Sequence, residues 1–137
     1  MITGFRTEPD RQSSKAKLCA GPIRGKRILC VDDDEFLRRL ASRTLDRAGA
    51  ICLTAGTHAQ AIAMANREPE LALVILDFQM PDGDIGQLVA RLRDAHPDLP
   101  LIGNSGDDRR QEFAERGVAV FLEKPWTAET IERAMHG

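Results

Sequence analysis

The chain lacks the features that mark secreted, membrane-spanning and disulfide-stabilised proteins. Its 137 residues contain no apolar run near the roughly 18 residues that a membrane-spanning helix needs. The amino terminus is polar and has no apolar signal segment, so secretion is not expected. The three cysteines are an odd number and never occur as Cys-x-x-Cys. This usage predicts reduced thiols and a cytoplasmic protein.

The net charge is small, but it is unevenly distributed. The formal net charge is −2, yet residues 1–27 contain seven basic and two acidic side chains. Residues 1–26 also lack a sustained apolar period, and we predict that they form a flexible basic tail ahead of a folded domain at 27–137. Tails of this composition are usually just solvated, so binding to nucleic acid is not expected.

From residue 27 onward, short apolar segments alternate with amphipathic ones. The apolar segments predict strands at 27–31, 50–55, 71–76, 99–104 and 118–122. The helical periods predict helices at 35–49, 58–68, 85–95, 108–116 and 128–135. Strands that are apolar throughout, each followed by a helix, indicate a parallel sheet covered on both faces. The predicted fold class is therefore α/β, a doubly wound five-stranded parallel sheet.

Charged and polar side chains follow four of the five predicted strands. They are Asp32, Asp33 and Asp34 after the first strand, Asp77 after the third, Ser105 after the fourth, and Glu123 and Lys124 after the fifth. Open parallel sheets hold their ligand sites beyond the carboxyl ends of the strands. We therefore expect these groups to converge at one edge of the sheet, apart from Asp34, which is better placed to cap the first helix.

This combination of groups suits phosphoryl transfer. Crowded carboxylates repel one another unless a cation lies among them, and oxygen ligands favour Mg²⁺ or Ca²⁺. Lys124 can hold a phosphoryl group as a point charge, and the Ser105 hydroxyl can donate to another phosphoryl oxygen. Asp77 can serve as the nucleophile, because aspartate forms covalent acyl phosphates and the transfer requires mainly positioning and charge neutralisation.

Four segments together resemble the response-regulator receiver domains of two-component signalling. They are ILCVDDDE, LVILDFQMP, NSG and FLEKPW, and the resemblance extends from about Arg27 to Met135. It implies the flavodoxin-like (βα)5 arrangement with strand order 2-1-3-4-5. It also implies that Asp77 is the phosphoacceptor.

The resemblance further implies a role for each remaining site residue. Mg²⁺ would be the cofactor, with Asp33 and Asp77 as ligands, Asp32 acting through water, and the backbone carbonyl of Gln79 completing the set. Lys124 would bind the phosphoryl group. The two switch residues would be Ser105, whose hydroxyl moves toward the phosphoryl group, and Phe121, whose ring changes rotamer on activation.

The resemblance also implies partners. A receiver of this kind catalyses only its own phosphorylation and dephosphorylation, with a histidine kinase or histidine phosphotransfer protein as the donor. Output would come from the face formed by the fourth helix, fifth strand and fifth helix, through a downstream protein or a homodimer. No DNA-binding or enzymatic segment follows Met135, which favours a single-domain regulator. The motifs most resemble receivers of hybrid sensor kinases, which favours a phosphorelay.

Two positions depart from the family pattern. Ile85 occupies a place where the family usually has glycine. Only 12 positions separate Ser105 from Gly117, about one helical turn fewer than usual. We therefore expect an abbreviated fourth helix and an altered docking face.

Three other functions are compatible with parts of the sequence. A receiver-fold adaptor that works without phosphorylation is the main alternative, although every expected phosphorylation residue is present. A phosphohydrolase with an aspartyl intermediate would need a second acid where Gln79 stands. A flavin mononucleotide carrier would place its phosphate after the first strand, where three aspartates would repel it.

Overall fold

The structure, a computed structural model, describes residues 23–136 and confirms the predicted fold. Five parallel strands form one sheet in the order β2-β1-β3-β4-β5. The strands are β1 (Arg27–Val31), β2 (Ile51–Ala55), β3 (Leu71–Asp77), β4 (Leu101–Ser105) and β5 (Val120–Glu123). The helices are α1 (Glu35–Arg47), α2 (His58–Arg67), α3 (Ile85–Ala95), α4 (Arg110–Glu115) and α5 (Ala128–His136). Within 23–136, no helix has the length and apolar character needed to cross a membrane.

Helices cover both faces of the sheet, which explains why the central strands are apolar at every position. Successive side chains of a strand point to opposite faces. In β1, Leu29 and Val31 belong to the apolar cluster beneath α2, α3 and α4, whereas Ile28 and Cys30 belong to the cluster beneath α1 and α5. β3 divides its residues in the same way. Cys30 is buried in the core and Cys52 is partly buried, and both are free thiols.

Side-chain caps set the starts of the helices near the site. The Asp34 carboxylate accepts hydrogen bonds from the backbone N–H groups of Phe36 and Leu37, at 2.9 and 3.3 Å. This confirms Asp34 as the cap of α1. Asp84 caps α3 by accepting from the Gly86 N–H at 2.9 Å. Ile85, the first residue of α3, is buried in the core, so the departure from the family's glycine adds apolar contact.

The fourth helix is abbreviated, as expected. It spans six residues, and it starts two positions later than predicted. The delay arises because the Asp108 carboxylate accepts a hydrogen bond from the Arg110 N–H at 3.0 Å, a local turn that competes with helix. Gly117, with φ of 90°, ends the segment in the left-handed region that favours glycine.

Part of the predicted tail belongs to the folded domain. Ile23 is fully buried in the cluster beneath α1 and α5. The following turn is tied to the end of α1, because the Gly25 N–H donates to the Gly49 carbonyl at 2.8 Å. The rest of the predicted tail, residues 1–22, lies outside the described residues.

Candidate functional site

The carboxyl ends of four strands deliver the candidate site residues to one open cavity of about 670 Å³. Asp32 follows β1 directly, Asp77 ends β3, Ser105 ends β4 and Lys124 follows β5. All four line the cavity, together with Asp33 and the loop after β3 that contains Gln79. The structure thus brings together most of the residues that the sequence analysis grouped, but neither Glu123 nor Phe121 lines this cavity.

Three carboxylates form the acidic part of the site. Asp32, Asp33 and Asp77 each offer an oxygen, and these oxygens lie within 4.8 Å of one another. Asp32 and Asp77 are each only 7% exposed, whereas Asp33 faces solvent. An oxygen-only donor set that opens toward solvent suits a hard divalent cation which keeps some of its waters.

Lys124 bridges the two buried acids. Its Nζ lies 2.9 Å from Asp32 Oδ2 and 3.1 Å from Asp77 Oδ1. Its backbone is fixed as well, because the Lys124 N–H donates to the Ser105 carbonyl at 2.8 Å. The ammonium group therefore stands beside the carboxylate that the sequence predicts to react.

Burial and neighbouring charge perturb both partners of the bridge. Burial, followed by the negative charge of Asp32, raises the pKa of Asp77, although Lys124 opposes the change. Burial alone would lower the pKa of Lys124, but its hydrogen bond to Asp32 and the charge of Asp77 outweigh burial and raise that pKa. Lys124 therefore remains a cation at neutral pH.

Asp32 anchors the site rather than facing the cavity freely. Its Oδ1 accepts from the Asp34 N–H at 2.9 Å, and its Oδ2 accepts from Lys124. Its backbone carbonyl accepts from Arg38 Nη1 at 2.7 Å. Asp33, the adjacent exposed residue, is the better placed of the two for direct contact with a cation. This arrangement is compatible with the different roles that the family resemblance implies for the two acids.

The two predicted switch residues lie in different environments. The Ser105 hydroxyl donates to Asp107 Oδ1 at 2.8 Å, and this bond is the main reason that the pKa of Asp107 is lowered. Phe121 is buried, with its ring centroid 5.8 Å from that of Phe113. The Arg110 guanidinium lies 5.4 Å from the Phe121 centroid on the α4 side.

Sequence reasoning missed two residues at the site. Arg116 lines the main cavity, with its Nε 3.3 Å from Asp84 Oδ1 and its guanidinium 5.5 Å from the Phe78 centroid. Asn104 is buried, and among the described residues its Oδ1 has no hydrogen-bond partner. Asn104 lines a second cavity of about 80 Å³, which also touches Lys124 and Trp126. No local motif marks Arg116, whereas Asn104 is the first residue of the NSG segment, whose interpretation considered only Ser105.

The chain matches one protein family over most of its length. The family described as the response regulator receiver domain matches residues 28–136. Among curated proteins, the sensor histidine kinase RcsC of Escherichia coli K12 is 32% identical over 111 residues. That match covers 79% of this chain but 12% of RcsC, so the chain spans about an eighth of this relative.

Solved structures agree with this match. The chemotaxis protein CheY4 of Vibrio cholerae superposes with a TM-score of 0.71 at 26% identity, covering 82% of this chain and 97% of CheY4. A response regulator from Burkholderia pseudomallei, whose structure contains a phosphorylated aspartic acid, a calcium ion and citrate, gives 0.71 at 25% identity. That match covers 80% of this chain and 65% of the other. On the strength of the family match and the shared fold, the chain belongs to the response regulator receiver domains.

Proposed function

We propose that this receiver takes a phosphoryl group from a phosphohistidine onto Asp77 in a Mg²⁺-dependent reaction. The observation that carries the proposal is the position of Lys124 Nζ, which contacts Asp77 at 3.1 Å and Asp32 at 2.9 Å beside an acidic triad typical of a receiver metal site. Asp33, Asp77 and the Gln79 carbonyl would hold the cation, with Asp32 acting through water. Bound there, Mg²⁺ would neutralise negative charge on the phosphoryl oxygens.

The residues of the chain divide the work of the transfer. An Asp77 carboxylate oxygen attacks phosphorus, the P–N bond to the donor imidazole breaks, and the imidazole nitrogen keeps the electron pair and takes a proton from solvent. Lys124 binds a phosphoryl oxygen throughout, because its raised pKa keeps it positively charged. Ser105 donates to another oxygen once the phosphoryl group is in place. The chain thus catalyses only its own phosphorylation and its own dephosphorylation; in the latter a water oxygen attacks phosphorus, the P–O bond to Asp77 breaks and inorganic phosphate leaves.

Membership in the family supports a proposal for the donor and for the output. The chain's similarity to part of a sensor histidine kinase supports a histidine kinase or a histidine phosphotransfer protein as the donor. Phosphorylation would shift an equilibrium between two conformations of the α4–β5–α5 face, where a downstream protein or a second copy would bind. The buried ring of Phe121, a residue of β5, lies on this route because it faces Phe113 and Arg110 of α4. The domain would then act as a response regulator whose output is the altered binding at this face.

Intact mass after incubation with acetyl phosphate tests the proposal. We expect one phosphoryl adduct that requires Mg²⁺ and is absent from Asp77→Asn. Asp84→Asn is a matched control, because Asp84 lines the same cavity but caps α3 instead of joining the triad. A folded protein that binds Mg²⁺ and forms no adduct would contradict phosphotransfer and favour the adaptor function.

A further inference from the structure

The Ser105 hydroxyl is already engaged in the unphosphorylated protein. It donates to Asp107 Oδ1 at 2.8 Å, and the Asp107 N–H approaches the same hydroxyl at 3.5 Å. Ser105 itself is buried and lines the cavity that contains Asp77 and Lys124. A hydroxyl has a single proton to donate. Donation to a phosphoryl group on Asp77 therefore requires that the bond to Asp107 be broken.

Asp107 is held in place from the other side. Arg109 Nε lies 3.2 Å from the same Oδ1, and Arg109 Nη1 lies 3.2 Å from Glu112 Oε2 in the first turn of α4. The Arg109 guanidinium also stands 5.0 Å from the centroid of Phe78, the residue after Asp77. We call Ser105, Asp107, Arg109 and Glu112 the Asp107 latch, since they form a continuous chain from the end of β4 to α4.

The abbreviated α4 explains how the latch is supported. A helix of six residues is only about 9 Å long. Arg109 precedes this helix and Arg116 follows it, and both guanidinium groups reach the Phe78 ring, at 5.0 and 5.5 Å. Phe78 also meets Phe113 of α4 edge to face, with centroids 5.2 Å apart. Motion at the start of α4 is therefore coupled to the residue next to Asp77.

We propose that Asp107 is a positioning residue that holds the Ser105 hydroxyl away from the phosphoryl site, and that breaking this bond passes phosphorylation on to α4. The inference rests on the proposed function and deepens it. The phosphoryl group carries more negative charge than a carboxylate and competes for the single Ser105 proton. When Ser105 donates to the phosphoryl group instead, it releases the Asp107 carboxylate, which links β4 to the first turn of α4. The latch therefore lowers the population of the active conformation before phosphorylation.

A plain charge effect has to be distinguished from the latch. Asp107 is an exposed anion near the mouth of the site, so its removal alone could favour a phosphoryl group. The two explanations differ in their dependence on Ser105. A charge effect persists when the hydroxyl is absent, whereas a latch effect disappears. A double-mutant cycle between Ser105→Ala and Asp107→Ala measures this difference.

The experiment uses beryllofluoride with Mg²⁺ as a phosphoryl mimic and the fluorescence of Trp126, the single tryptophan, as the signal. We expect Asp107→Ala to tighten beryllofluoride binding about three- to tenfold, the range of one net hydrogen bond. In the Ser105→Ala background the same substitution should have no effect. Asp107→Asn keeps an acceptor oxygen and should give a smaller gain, and Asp108→Asn, which removes a neighbouring charge, should give none.

An NMR measurement tests the same inference on variants that contain no beryllofluoride. In free Asp107→Ala, the amide signals of α4 should move toward the positions that they occupy in the parent protein bound to beryllofluoride. An equal gain in both Ser105 backgrounds, or α4 signals that stay at their parent positions, would overturn the latch while leaving Asp77 as the phosphoacceptor. A folded parent protein that binds neither beryllofluoride nor a phosphoryl group would overturn the proposed function, and the latch with it.

Discussion

Gly103 lies on β4 in the space directly beneath the Phe113 ring, two residues before Ser105. A Cβ atom at this position would stand 2.5 to 2.6 Å from three atoms of that ring. Carbon atoms pack best at about 3.5–4.0 Å, so Gly103→Ala must displace the ring by about 1 Å. Phe113 is fully buried and already contacts the rings of Phe78 and Phe121, so it has little room to move. We expect Gly103→Ala to lower the free energy of unfolding by about 1–3 kcal/mol, the usual cost of overpacking.

Urea denaturation, followed by circular dichroism, measures this change. Gly106→Ala is the control three residues away, because nothing lies within 4 Å of its added Cβ. Its unfolding free energy should stay within about 0.5 kcal/mol of the parent value. Phe113→Leu should cost much less in the Gly103→Ala background than in the parent, because the smaller side chain relieves the clash. Equal stabilities for the two glycine variants would refute the argument that the ring fixes Gly103.

Three further predictions concern the site itself. Burial and the charge of Asp32 raise the pKa of Asp77 in the folded state, so the ionised carboxylate destabilises the protein. At pH 7 without metal, Asp77→Asn should therefore unfold at a higher temperature than the parent protein. This advantage should vanish as the pH falls below the ordinary aspartate pKa of about 3.9. Mg²⁺ at ten times its dissociation constant should stabilise the parent protein by about 1.4 kcal/mol in thermal unfolding, and Asp33→Asn should lose most of this gain. We expect a phosphoryl lifetime of seconds to minutes, because Gln79 and Asp107 can orient an attacking water. In Gln79→Leu, the phosphorylated species followed by intact mass should therefore decay more slowly, and a shorter lifetime would contradict this role of Gln79.

The fold could be predicted nearly completely because strands that are buried on both faces of the sheet have continuous apolar sequences. The run Leu73–Leu76 is apolar at every position since its side chains enter both apolar clusters, and its length distinguishes a strand from a helix. Strand ends then specify which polar groups meet, because all strands are parallel. The boundary errors have local causes, such as the turn at Asp108 that delays α4. Ile23 escaped notice because an isolated apolar residue has no period.

The details of the site depend on side-chain directions that no motif encodes. That Lys124 would meet Asp77 followed from the strand ends, but the bond between Ser105 and Asp107 depends on a rotamer. Arg116 reaches the site because α4 is short enough to return the chain close to Phe78. The sequence predicted that α4 is about one turn short, but only the structure shows that Arg116 reaches the site as a result.

The three consecutive aspartates that follow β1 occupy three different environments. Asp32 is held by Lys124, Asp33 faces solvent, and Asp34 caps α1. Because the three side chains are chemically identical, the environment of each is determined by its position in the sequence. An alignment shifted by one position would therefore match aspartate with aspartate while exchanging the buried anchor for the exposed acid. Chemical identity is uniform across this segment, and the information lies entirely in the register.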